Sequence, residues 1–181
     1  MGALRTIILT LASAGALAAP AMAREDDWPE IKGARLDGQR PWGAFAIYRS
    51  PSLQVTGVSL YLRKSASENE MVARRVEGTE GGGVVVTWAS SKTCETLIPL
   101  AAEMEELPVP RIEVPGAGRE PRPAEVLLDG SSYFVWADDA RFSGGAHSAQ
   151  LEMRGVDGSP MAQWIDKALA GLGRCWRTNQ P

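Results

Sequence analysis

The apolar positions of this 181-residue chain alternate first with the period of β-strands. In "LQVTGVSLYLRK" Val58, Leu60 and Leu62 alternate with polar or amphipathic neighbours, which predicts a half-buried strand. Similar short runs predict strands in "WGAFAIYRS", "MVARRVE", "VVVTWAS", "AEVLLDGSSYFVWA" and "AQLEMRG". Asp129-Gly130 lies between two apolar runs, a pattern typical of a tight hairpin turn. Together these patterns predict an antiparallel sheet.

Two further segments change to helical spacing. In "SSKTCETLIPLAAEMEEL" apolar residues recur every three or four positions from Cys94 to Met104, with Ser90 or Ser91 as a candidate N-cap. Pro99 either kinks this helix or stands in the first turn of a restarted one. In "SPMAQWIDKALAGLGRCW" the pattern predicts a second helix, which is capped by Ser159, begins with Pro160 and ends near Leu172.

These elements predict an α+β fold: an antiparallel sheet with two helices packed on one face, and the helices joined by a disulfide. The chain has only two cysteines, Cys94 and Cys175, so only one pairing exists. Both lie on the apolar faces of the predicted helices. Buried thiols, or a metal-binding or catalytic cysteine, are the alternatives. A single histidine in the chain argues against a Cys/His metal cluster.

The first 23 residues have the three parts of a secretory signal peptide: a basic start, a short apolar run and "AMA" before the cleavage point. The alternative is a retained membrane anchor, but the run from Ile7 to Ala19 is shorter than the roughly 20 residues that a spanning helix needs. We therefore predict a periplasmic or secreted domain, residues 24–181, with no membrane span after cleavage. Within it, residues 24–41 form an irregular N-terminal arm, and residues 107–124 form a Pro-rich connector.

The charge of the mature chain bears on its partners. Removal of Arg5 with the signal peptide leaves 18 basic residues (19 − 1) against 22 acidic ones, a net charge of −4. This mild acidity argues against a nucleic-acid partner. The sequence carries no motif for a cofactor or a metal ion, and we predict neither.

The densest group of polar residues is "ADDARFSGGAHSA", which we expect to be a loop. Asp138, Asp139 and His147 are its catalytic candidates, because carboxylates beside a histidine can perform acid–base chemistry. A solvated turn is the simpler interpretation, since Asp residues often cap backbone groups in turns. Arg141 and Trp42 are candidate ligand-binding residues. Trp28 and Trp42 lie in polar, Pro- and Gly-bearing stretches, where an exposed ring would stack on a sugar or anchor a protein.

The favoured functional hypothesis is a non-catalytic binding or accessory protein of the cell envelope, with an envelope protein or a glycan as its partner. It rests on the missing catalytic motifs: the chain has neither Gly-x-Ser-x-Gly nor His-Glu-x-x-His. The alternative is a hydrolase that uses the carboxylate and histidine residues of the 138–148 loop. The sequence leaves the ligand and the oligomeric state open.

Overall fold

A computed structural model of the chain describes residues 29–50, 52–64, 68–79, 82–110, 130–141 and 148–181. They form one six-stranded antiparallel sheet with the strand order β4-β3-β2-β1-β5-β6. The strands are β1 Gly43–Arg49, β2 Gln54–Lys64, β3 Asn69–Thr79, β4 Val84–Ser90, β5 Ser131–Arg141 and β6 Ser148–Val156. The α-helices are α1 Leu97–Glu103 and α2 Pro160–Gly171. The prediction of an antiparallel α+β fold is confirmed. The signal peptide, Asp129 of the predicted hairpin turn and residues 111–124 of the Pro-rich connector lie outside the described residues.

The larger apolar core joins both α-helices to one set of alternating strand positions. The sheet contributes Phe45, Leu60 and Val135 to this core, among other residues. The helices contribute Leu97 and Ile165, and each of these five residues is at most 3% exposed. The ring of Phe45 meets that of Trp164 on α2 edge to face, with 5.0 Å between centroids. Such aromatic pairs contribute roughly 0.5–1.5 kcal/mol beyond their buried area.

The second helix begins where the sequence predicts, and the first does not. Ser159 has an extended backbone, and its Oγ accepts a hydrogen bond from the backbone N–H of Ala162 at 3.1 Å. The earlier helix begins only at Leu97, with Thr96 and neither Ser90 nor Ser91 at its N-cap, because Ser90 still belongs to β4 and residues 91–96 are a non-helical connection. Pro99 therefore falls in the first turn of α1, where a missing N–H costs nothing. Of the two interpretations of this proline, the restarted helix is the correct one.

The Cys94–Cys175 disulfide is present, with the two Cα atoms 5.5 Å apart. Its placement differs from the prediction, because neither cysteine lies on a helix. Cys94 precedes α1, and Cys175 lies in the turn that follows α2. The bridge therefore ties the entry of one helix to the exit of the other, beside the larger core.

The number of helical segments also differs from the predicted two. The described residues include a π-helical turn, Pro29–Gly33, and a 3₁₀ turn, Met104–Glu106. The π-helical turn belongs to the N-terminal arm, which packs on the other set of strand positions. Ser59 donates its hydroxyl to Ile31 O, and Tyr61 donates its hydroxyl to Ala34 O. Both side chains are fully buried, so β2 is covered on both sides rather than half-exposed.

The arm also contains a tight turn that the sequence analysis did not single out. Leu36 and Gln39 exchange two backbone hydrogen bonds of 3.0 and 2.9 Å around Asp37-Gly38. Both central residues have positive φ angles, 50° and 80°. This is the pattern of the turns that favour Asp-Gly. The arm is therefore ordered by its own turn, and Leu36 is buried against Tyr61.

No helix in the described part of the chain is long and apolar enough to cross a membrane.

Candidate functional site

Asp138 and Asp139 lie in a strand and not in the predicted loop. β5 continues to Arg141, and the register to β6 shifts between Ala137 and Ala140, so that the two aspartates lie opposite the single residue Gln150. This is a β-bulge. Gln150 Nε2 donates to Asp138 Oδ1 at 3.0 Å, and both aspartates are exposed.

The remaining candidates do not complete a described catalytic group. His147 lies outside the described residues, and Arg141 is described only as backbone of β5. Trp42 is half-buried and packs against the larger core. The backbone N–H of Trp42 donates to Leu60 O, and its backbone carbonyl accepts a hydrogen bond from the backbone N–H of Asp138, each at 2.9 Å. Trp42 therefore lies beside the bulge, but its ring belongs partly to the core. The hydrolase that uses His147 stays a prediction.

A narrow concavity, which we call the arm-face trough, lies on the side of the sheet that the arm covers. Its floor is formed by Ala44 and Ala46 of β1, and its two walls are Ile31 of the arm and the aromatic pair Phe134 and Trp136 of β5. Alanine side chains on the central strand leave space between these larger neighbours. The space among these side chains is about 340 Å³, a figure that includes open solvent on the exposed side. Phe134 and Trp136 are half-buried, so part of each ring faces solvent.

Charged side chains edge the trough on the side of β6. Lys32 Nζ contacts Glu152 Oε2 at 2.5 Å, which links the arm to β6. Arg154 donates to Glu152 Oε1 from Nε and Nη2, and its guanidinium lies 5.3 Å from the ring centre of Phe134. The hydrogen bond from Lys32, with a smaller contribution from Arg154, lowers the pKa of Glu152. Glu152 is therefore ionised around neutral pH, and it lies between two basic side chains.

Sequence reasoning missed a buried carboxylate at the ends of β2, β3 and β4. Glu70 is 6% exposed. It accepts a hydrogen bond from Ser90 Oγ, and both Arg63 Nη1 at 3.2 Å and Lys92 Nζ at 3.5 Å approach its Oε2. The Ser90 hydrogen bond is the main cause that lowers the pKa of Glu70. A buried carboxylate with these partners ties three strand ends together, and removal of one partner would leave it uncompensated.

A second missed group is Tyr133, whose buried hydroxyl lies between two carboxylates. It is 3.2 Å from Asp157 Oδ1 and 3.1 Å from Asp166 Oδ2. One O–H can donate to only one of them at a time. Burial, followed by the charge and the hydrogen bond of Asp166, raises the pKa of Tyr133 to about 12. No local pattern predicts this group, because strand β5, the turn after β6 and helix α2 each contribute one member.

We expect Tyr133 to ionise well above the ordinary tyrosine value of 10.0. Because its pKa is raised in the folded state, its neutral form stabilises the fold fully below pH 10. That stabilisation is lost as the pH rises through about 12. An absorbance titration of the three tyrosines, compared with Tyr133→Phe, measures this directly. Burial also raises the pKa of Tyr61, so the variant should lose one of two late-titrating phenols. It should also lose part of the fall in stability between pH 10 and 12. A wild-type titration with every phenol ionising near pH 10 would contradict the assignment.

The described residues contain no group of three or more His, Cys, Asp or Glu side chains that could hold a metal ion. The arm-face trough combines an apolar floor with a charged edge. This arrangement places an apolar surface beside the charged side chains of Lys32 and Glu152. Comparison of the chain with known protein families, with curated proteins and with solved structures finds no match.

Proposed function

We propose that this chain is an exported, non-catalytic binding domain of the cell envelope that accepts an apolar side chain of a partner protein in the arm-face trough. In this proposal α1 and α2 share one face of the sheet, and the trough on the opposite face is the binding surface. The observation that carries the proposal is the pair of half-buried aromatic walls, Phe134 and Trp136, above an alanine floor. Apolar pockets with a few polar groups at their edge are typical of binding sites.

Export is supported by the signal-like N-terminus and by the disulfide. An isolated cysteine pair that forms a bridge is typical of proteins of oxidising compartments. The Cys94–Cys175 bridge is compatible with such a compartment.

The chemistry of the trough favours a protein side chain over a glycan. Sugar rings stack on flat, exposed aromatic faces and need polar groups around them. Here the rings of Phe134 and Trp136 are half-buried, and Ala44 and Ala46 offer no hydrogen bonds from their side chains. The Lys32–Glu152 pair at the edge can instead meet the backbone or a polar neighbour of the inserted residue.

The test uses N-acetyl-L-phenylalaninamide as the probe and the amide NMR spectrum of the chain from Arg24 as the readout. We expect saturable shifts at the amides of Ala44, Ala46 and Phe134, and at least a tenfold loss of affinity in Trp136→Ala. The matched control is Trp88→Ala, which removes another half-buried tryptophan on the same side of the sheet but outside the trough. It should bind the probe as the wild type does.

Three outcomes would contradict the proposal. The shifts could map to other strands, or the two tryptophan variants could lose affinity equally. The third is a probe that binds the Trp28→Ala variant but does not bind the wild type. Trp28 lies three residues before Ile31 in the sequence, so this result would indicate that the chain fills its own trough. Melting temperatures of all variants separate loss of binding from loss of the fold.

A further inference from the structure

The N-terminal arm is anchored to the sheet by few apolar side chains. Of residues 31–40, only Ile31 and Leu36 are buried. Within the described residues, the arm also pairs with none of the six strands, because its one β-bridge, Leu36 with Gln39, closes its own turn. Hydrogen bonds from a sheet ladder therefore do not hold this part of the arm in place.

Two ion pairs fasten the arm to the sheet near its two ends. Lys32 pairs with Glu152 of β6, and Asp37 pairs with Arg63 of β2. Between 26% and 56% of each of these four side chains is exposed. Exposed ion pairs contribute little to stability in water, so these two pairs position the arm more than they stabilise it.

The sheet positions beneath the arm can be exposed to water at a lower cost than the larger core. Ala44, Ala46 and Gly57 present little apolar surface, and the free energy of exposure follows the apolar area. The hydroxyl groups of Ser59 and Tyr61, which donate to backbone carbonyls of the arm, can bond to water instead. The face beneath the arm therefore tolerates its departure.

A pivot lies between the arm and β1. Residues 37–40 are exposed. Pro41 is fully buried, and the backbone N–H of Trp42 donates to Leu60 O, so the chain is fixed to the sheet from Pro41 onward. Backbone rotation within residues 37–40 can therefore swing the preceding part of the arm while β1 stays in place.

We propose that the arm is a movable wall of the arm-face trough: it swings away from the sheet as a unit, and an apolar side chain bound in the trough holds it closed. Ile31 forms the arm's wall and fills the space above Gly57, while Trp136 belongs to the opposite wall. A bound side chain touches both walls only when the arm is closed. It therefore binds the closed arrangement more tightly and shifts the equilibrium toward it. The ligand is that of the proposed function, on which this coupling rests.

The opening is measured by alkylation of a buried thiol with iodoacetamide, which leaves disulfides intact. Val72 and Ala73 are neighbours in β3 and both are 0% exposed, but Val72 packs against Leu36 of the arm, whereas Ala73 lies in the larger core. In the chain from Arg24, we expect the thiol of Val72→Cys to react roughly a hundredfold faster than that of Ala73→Cys, because local opening is more frequent than global unfolding. Equal rates would overturn the proposal.

Removal of the Cys94–Cys175 bridge separates opening of the arm from unfolding of the domain. The bridge belongs to the larger core, whose buried members include no residue of the arm. In the Cys94→Ala/Cys175→Ala background, Ala73→Cys should react faster, and Val72→Cys should keep its rate. If both thiols react faster by the same factor, the arm opens only with the whole domain and the proposal is wrong.

N-acetyl-L-phenylalaninamide tests the coupling to the trough. At about 100 times its dissociation constant, this probe should slow the reaction of Val72→Cys roughly a hundredfold, because it stabilises the closed arm. A probe that shifts the trough amides but leaves this rate unchanged would overturn the movable wall, while the proposed function would stand. A probe that does not bind, beside a Val72→Cys thiol that still reacts faster than Ala73→Cys, would contradict the proposed function and the coupling, but not the movement of the arm.

Discussion

Replacement of both Cys94 and Cys175 by alanine is expected to lower the free energy of unfolding by about 4–5 kcal/mol. The bridge joins residues 81 positions apart, and the cross-link restricts the unfolded chain in proportion to the logarithm of that loop length. For a domain of this size the loss corresponds to a fall in melting temperature of about 8–20 °C. Urea unfolding of the oxidised wild type and of the double variant measures it.

The single variants show whether the bridge itself causes the effect. If it does, Cys94→Ala and Cys175→Ala each lose nearly as much stability as the double variant, because either change opens the same loop. A reductant should then destabilise the wild type and leave all three variants unchanged. Additive losses from the two single variants would argue that each cysteine contributes only its own packing.

Gly57→Ala is expected to displace the N-terminal arm and to cost about 1–3 kcal/mol, the usual range for overpacking. A Cβ at Gly57 would lie 2.1 Å from Cδ1 and 2.6 Å from Cγ1 of Ile31. Ile31 is only 5% exposed, so its side chain has little room to turn away. The loss should appear in urea unfolding and in faster proteolysis of residues 29–42.

Two further variants make this expectation specific. Gly83→Ala adds the same methyl group where no described atom lies within 4 Å, and it should be close to neutral. Ile31→Ala removes the side chain that the new methyl group strikes. The double variant Gly57→Ala/Ile31→Ala should therefore be more stable than the sum of the two single changes predicts. A Gly57→Ala variant as stable as Gly83→Ala would show that the arm does not pack as described.

Local patterns in the sequence determined the types of the elements and much of their order. The alternation in β2 and the Ser159-Pro160 cap of α2 act over a few residues, so they are visible without the fold. The cysteine pairing followed from there being only two cysteines. The position of the bridge was not predicted correctly. The apolar residues from Cys94 onward have helical spacing, although the first of them lie in the turn that separates β4 from α1.

The candidate sites were the least predictable part. The loop expected at Asp138 and Asp139 is a strand with a bulge, because pairing with β6 resumes beyond the two aspartates at Ala140 and Arg141. The arm-face trough unites residues of the arm, β1, β5 and β6. Each segment of the sequence supplies at most two of the residues that form its floor and walls, so no local pattern indicates the trough.

What the sequence determined by itself was therefore the set of strands and helices, since propensity and periodicity are local. The tertiary structure alone decided which surfaces are covered. Ser59 and Tyr61 have the pattern of a solvent-facing side, yet both are buried because their hydroxyl groups hold the backbone of the arm. The same holds for Glu70 and Tyr133, whose partners come from distant parts of the chain. Burial of a polar side chain depends on a partner that only the folded chain brings into hydrogen-bond distance.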